Sequence, residues 1–123
     1  MTREIKIPGP DHPITIEANP ERVVVRVAGA IVANTTRALT LHEAKYAPVQ
    51  YIPLDDVDTS LLVQSNSETY CPYKGEASYY SIRTAEGETI SDAIWTYEKP
   101  YAAVESIAGH IAFYPQHVTF ASA

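Results

Sequence analysis

A chain of 123 residues has the length of one folded unit and can bury a sizeable core without disulfides or metals to staple it; residues 1–123 are read as a single domain. Its 46% hydrophobic and 20% charged residues are ordinary for a globular protein. A formal net charge of -6 argues against a broad electrostatic grip on nucleic acid or an anionic membrane, and one cysteine excludes an internal disulfide and an all-cysteine zinc site.

Residues 1–6 alternate charge and carry no apolar stretch of the kind a secretory signal needs. Nowhere do the roughly 18 consecutive apolar residues of a membrane span occur, so the expected setting is the cytoplasm. Residues 5–10 read as an extended arm broken by Pro8 and Pro10. Residues 14–17 alternate apolar with polar, as a half-buried strand does. The strongest strand signal is residues 22–27, where β-branched valines suit a pleated surface. Ala28-Gly29 turns this strand back into residues 30–33, with Gly29 supplying positive φ. Val23, Val25 and Val27 then share one face, and Arg26 projects from the other.

Residues 39–43 and 49–52 predict two more strands flanking Pro48. The period then changes: Leu54, Val57 and Leu61 fall on one helical face. Asp55 and Asp56 lie in its first turn, where carboxylates complement the helix dipole, so residues 53–62 predict a short helix whose aspartates are capping charges rather than metal ligands. Residues 64–68 read as a polar loop. Alternation returns over residues 76–83, with Ala77, Tyr79 and Ser81 facing one way and Ser78, Tyr80 and Ile82 the other. Glu86-Gly87 closes a hairpin into residues 90–97, which place Ala93, Trp95 and Tyr97 on one face. Pro100 just inside the start and Gly109 just past the end frame a second short helix, and residues 110–114 and 118–120 are the closing strands. Many short strands with two short helices predict a mainly β fold.

The chemistry concentrates in residues 69–80, which bring the only cysteine, a lysine and four tyrosines into one proline-containing turn and the strand after it. Cys71 is a nucleophile if a neighbouring cation such as Lys74 lowers its pKa, and a small buried hydrophobe otherwise. In Pro72-Tyr73-Lys74-Gly75 the proline pre-sets φ and the glycine permits a tight exit. Lys74 is then expected at the turn tip, either free to meet a carboxylate or phosphate or simply solvated. The turn lacks the glycines of a phosphate-binding loop. Tyr51, Tyr79, Tyr80, Trp95 and Tyr97 lie on strands able to share a sheet and form an aromatic wall for a planar ligand or cation, although Trp95 suits a core position better than a ligand platform. Arg26, centred in a valine-rich strand, needs solvent or a partner: Glu43 as a structural bridge, or an anionic ligand. His12, His42, His110 and His117 have no metal-ligand spacing, and no metal is expected.

At Thr69-Tyr70-Cys71-Pro72-Tyr73-Lys74-Gly75 the chain resembles a bacterial family known as domain of unknown function 427. The resemblance continues through residues 22–29, Tyr51-Ile52-Pro53, Ala77-Ser78-Tyr79-Tyr80, Trp95-Thr96-Tyr97 with Pro100, and residues 109–114. It implies a β-tent-like architecture, two antiparallel sheets leaning together and pinched at one end, similar to methionine sulfoxide reductase B domains and the cereblon ligand-binding domain. The zinc that several such relatives hold through paired C-x-x-C motifs does not carry over to a chain whose one cysteine is Cys71. Reductase chemistry lacks a second thiol for resolution. Nor does a nucleotidyltransferase activity carry over, because no Gly-Ser motif precedes paired aspartates and Asp55-Asp56 belongs to the predicted helix start.

The resulting expectation is a small-molecule-binding β domain without cofactor, its pocket built around the Cys71–Lys74 turn and facing tyrosines. The ligand is planar or anionic, with Lys74 and Arg26 as charge partners and Tyr51, Cys71, Tyr79, Tyr80 and Trp95 completing the binding set. Any catalysis rests on Cys71 or on Lys74 with a tyrosine as acid/base pair. The alternative is a protein-interaction module presenting an exposed tyrosine and lysine patch.

Overall fold

The computed structural model describes residues 4–121; Met1, Thr2 and Arg3 of the charged opening stretch lie outside the described residues, as do Ser122 and Ala123. Ten strands form the fold: β1 (Ile14–Asn19), β2 (Val23–Val27), β3 (Ala30–Thr35), β4 (Ala38–Glu43), β5 (Val49–Pro53), β6 (Leu62–Cys71), β7 (Gly75–Arg83), β8 (Thr89–Thr96), β9 (His110–Phe113) and β10 (Thr119–Ala121). All pairings are antiparallel. Seven strands make one sheet in the order β1-β4-β5-β9-β8-β7-β6, and three make a second in the order β10-β2-β3. The protein is therefore mainly β, with two antiparallel sheets.

The β2–β3 hairpin forms where the valines and Ala28-Gly29 predict it. Ala28 and Gly29 both take positive φ, 51° and 83°, the twist that a two-residue hairpin turn requires. Val23, Val25 and Val27 are buried and Arg26 is exposed, but Val24 is buried as well, so the second face of this strand is not left to solvent.

Period-two alternation in the large sheet produces two cores. Ile52, Ile94, Ile111 and Phe113 face the small sheet and pack with Val25, Val27 and Val32. Their neighbours Tyr51 and Ala112 belong to a second cluster with Leu41, Ala77, Tyr97, Val104 and Ile107. The segment Ala102–Ile107 covers this second cluster, burying Val104 and Ile107 completely.

Neither predicted helix forms as an α-helix. Residues 53–62 divide into two single 3-10 turns, Leu54–Asp56 and Thr59–Leu61. Between them Val57 is extended (φ -111°, ψ 139°) and bridges to Ala33 of β3, while Pro53 belongs to β5 and pairs with His110. Pairing at both points removes the run of helical residues that would repay nucleation. The second expected helix is a 3-10 segment, Ala102–Ile107, kinked at Val104 (φ -130°, ψ 24°); its three-residue repeat is what places Val104 and Ile107 on the same side. The expected polar loop at residues 64–68 is also corrected. It lies within β6, an edge strand whose register to β7 shifts between Gln64 and Glu68. A polar sequence is compatible with pairing there because an edge strand need not bury both faces. No helix among the described residues is long and apolar enough to cross a membrane.

Candidate functional site

The β6–β7 connection is the predicted proline turn. The Lys74 N–H donates to Cys71 O at 3.2 Å, so Pro72 occupies the second turn position, where its fixed φ is favourable. Gly75 follows at φ 113°. A side chain there is strained by the backbone and would also lie 3.4 Å from Lys99 O, so the exit from the turn requires glycine. The Tyr101 N–H donates to Lys74 O at 3.0 Å, tying the turn to the 3-10 segment behind it.

An arm formed by residues 4–12 straps the turn from outside. The Lys6 N–H donates to Pro72 O at 2.9 Å, and the Tyr70 hydroxyl donates to Glu4 O at 2.6 Å. The His12 ring stacks on Tyr73 with centroids 4.1 Å apart and planes within 7°. Stacking holds the His12 imidazole so that Nε2 meets Glu43 Oε2 at 2.7 Å.

Lys74 turns inward. Its residue surface is only 8% exposed, and its ammonium donates to Glu43 Oε1. Glu43 ends β4 and sits 31 residues from Lys74 in sequence, so the sheet order rather than local sequence makes the pair. One carboxylate thus takes a hydrogen bond on each oxygen, from Lys74 and from His12. Burial alone would push the Glu43 carboxyl up; the hydrogen bonds from Lys74 and His12 outweigh it and hold the group below the ordinary carboxylate range. Lys74 is neither solvated nor free at the turn tip: its charge is compensated. An ammonium carries three donors, one of which Glu43 accepts, and the Lys74 side chain contributes to the wall of a cavity.

That cavity has a volume of about 360 Å³. Besides Glu43 and Lys74 it is walled by Tyr51, Tyr79, Trp95, Tyr97 and Tyr114, with Tyr46 at its edge. The Trp95 indole N–H donates to the Tyr51 hydroxyl at 3.1 Å with the rings edge to face, 89° apart. Tyr114 packs on the other ring contact of Trp95 at 4.5 Å. Lys74 Nζ lies 5.9 Å from the Tyr97 ring centroid, within cation–π reach. Burial raises the pKa values of Tyr51 and Tyr97 far above the free phenol value, and Tyr114 is pushed up to about 12 by burial and by its hydrogen bond with Tyr79. These phenols stay neutral: they present rings and O–H donors, not phenolate bases.

Of the expected binding set, Tyr51, Lys74, Tyr79 and Trp95 meet in this cavity. Arg26 does not. It is exposed on the small sheet, opposite Thr119 and Ile31, and of the two alternatives for it the bridge to Glu43 does not form, Glu43 pairing with Lys74 and His12 instead. Tyr80 lines a different cavity with Gln64, Thr96 and Glu98, because neighbours along a strand point to opposite faces. Cys71 is half-buried and packs against the second core; the Lys74 amine that was to activate it is engaged by Glu43. His12, Tyr97 and Tyr114 join the site from separate elements. Of these, Tyr97 alone had a sequence signal, its shared face with Trp95. Among the described residues, no group of three or more His, Cys, Asp or Glu side chains is arranged to hold a metal ion.

Fold and site together define a two-sheet antiparallel β protein with an aromatic cavity closed by a lysine–glutamate pair. The chain belongs to the family described as domain of unknown function (DUF427), whose model matches residues 15–122. No curated protein matches it.

Proposed function

We propose that this protein binds a small planar molecule in the Glu43–Lys74 cavity, acting in the cytoplasm on a β-tent-like scaffold. The observation that carries the reading is the convergence of aromatic side chains from β5, β7, β8 and the residues following β8 and β9 on a compensated buried ion pair. Rings supply faces and edges for stacking, and the ammonium and phenol hydroxyls supply donors, so the ligand is a flat molecule with hydrogen-bond acceptors, neutral or singly anionic. A second, more highly charged anion is disfavoured because Glu43 already compensates Lys74. Concavity favours this reading over an exposed aromatic patch for a protein partner, which is flat at its contact surface. Catalysis by Cys71 or by a Lys74–tyrosine pair is disfavoured by a committed amine and by phenols held neutral.

Trp95 is the only tryptophan and stands in the cavity wall, so emission excited selectively at tryptophan reports on this wall. Titration with nucleobases, nucleosides and aromatic carboxylates should perturb the emission saturably. A ligand at about 100 times its dissociation constant should add about 2.7 kcal/mol of apparent stability. Both responses should be lost in Glu43→Gln/Lys74→Met, which leaves no buried charge unpaired. Absence of any emission or thermal response across these classes overturns the proposal.

A further inference from the structure

A second cavity of about 490 Å³ opens on the other side of the same aromatic wall. It lies at the seam of the two sheets, with Val23, Phe120 and Ala121 from the small sheet meeting Val49, Trp95 and Phe113 from the large one. Ala47, Val49 and Trp95 line both cavities. Successive residues from the end of β9 divide between them: Phe113 and Pro115 line the seam cavity and Tyr114 the aromatic one. The two compartments differ sharply in chemistry. No charged side chain lines the seam cavity, and its two polar residues are bonded to one another, the Asn19 amide donating to Gln50 Oε1 at 3.1 Å. A further donor, the Thr40 hydroxyl, reaches that same Gln50 oxygen at 3.0 Å.

We infer that the two cavities are compartments of one site and that its ligand is amphipathic, a planar hydrogen-bonding head against Lys74 and the tyrosines carrying an uncharged apolar tail that passes Trp95 into the seam. This rests on the reading of the aromatic cavity as a ligand pocket and adds the substrate class to it. The shared wall argues for one occupant: a head stacked on Trp95 already lies beside Val49 and Ala47, from which the seam opens. A seam lined by apolar groups gains from an apolar tail, because that tail and the wall leave water together.

The probes are benzoate, 4-ethylbenzoate, 4-butylbenzoate and 4-hexylbenzoate, with dissociation constants measured by calorimetry and by Trp95 emission. Each methylene removed from water raises affinity about three- to fourfold, so butyl over unsubstituted benzoate is expected to gain on the order of a hundredfold. Ala121→Phe fills the seam cavity without lining the aromatic one; it should leave benzoate affinity unchanged and abolish the gain with chain length. Phe120→Ser, at a position already 40% exposed, keeps the test independent of whether the filled variant folds, and should cut the butyl gain several-fold. Benzoate binding that does not strengthen with chain length overturns the two-compartment inference and leaves the planar-ligand reading standing. A chain-length gain that survives both variants also overturns it, placing the tail elsewhere. If none of the four compounds binds, the two-compartment inference falls, and the planar-ligand reading is decided by the nucleobase and nucleoside titrations.

Discussion

Replacing Lys74 by methionine keeps most of the unbranched side chain and removes the ammonium, leaving Glu43 with His12 as its remaining hydrogen-bond partner. Breaking a fully buried pair by truncating one partner costs about 3–5 kcal/mol, because the other charge stays desolvated. The Lys74 and Glu43 side chains retain 10% and 14% exposure, and His12 still donates, so a loss of about 2–3 kcal/mol at pH 7 is expected. For a chain of this size that is roughly 8–12 °C in melting temperature. The loss should depend on pH with a defined sign. In the wild type the Glu43 carboxyl is held low, so its contribution is fully present above the unfolded carboxylate pKa and disappears as pH falls through the lower folded value. In Lys74→Met the burial that pushes this carboxyl up meets one donor instead of two, so Glu43 protonates at higher pH and the unpaired charge is relieved. The gap between wild type and variant should therefore be widest near neutrality and narrow below about pH 5. Adding Glu43→Gln removes the stranded charge, and the double variant should recover most of the loss. Urea denaturation of all three proteins at pH 7 and pH 4 makes the test. A loss under about 0.5 kcal/mol, an equal loss at both pH values, or a double variant no more stable than Lys74→Met would refute the reasoning.

Two further outcomes follow from the same turn. Gly75→Ala, at φ 113° and 3.4 Å from Lys99 O, should destabilise the protein by about 2–3 kcal/mol in urea; Gly87→Ala, at φ 86° with nothing within 4 Å of the new carbon, should cost about 1 kcal/mol, and equal costs would show that crowding at Lys99 contributes nothing. Cys71, half-buried against the aromatic core, should alkylate more slowly than a free thiol in the native protein and at the free rate in urea, whereas native alkylation faster than a free thiol would restore it as a nucleophile.

Where a structure depends on neighbours in sequence, it was legible. Alternating valines and Ala28-Gly29 specify the β2–β3 hairpin, Glu86-Gly87 the β7–β8 turn, and Pro72 with Gly75 the turn that positions Lys74. The family resemblance at residues 69–75 is matched by a family model spanning residues 15–122. What failed was decided across the sheets. Leu54, Val57 and Leu61 have helical spacing, yet Val57 answers to Ala33, and the strand bridge outweighs a short helix. Lys74 and Arg26 look alike as cations near apolar strands, and Glu43 is nearer to Arg26 in sequence; once β4 is placed it meets Lys74 and His12, while Arg26 stays in solvent. Tyr79 and Tyr80 do not share one wall, because strand alternation turns them to different cavities.

The threading of the small sheet has a consequence for biosynthesis. β2 and β3 pair locally, but the outer edge of β2 is covered by β10, which residues 36–118 separate from the end of this hairpin. At ribosomal rates, synthesis of that interval takes on the order of ten seconds. Through it a valine-rich strand, Val23–Val27, presents unpaired backbone amides and carbonyls, the arrangement most prone to intermolecular pairing. Slow codons before β10 should therefore lower the soluble yield, and an early supply of the Thr119–Ala121 strand in trans should raise it.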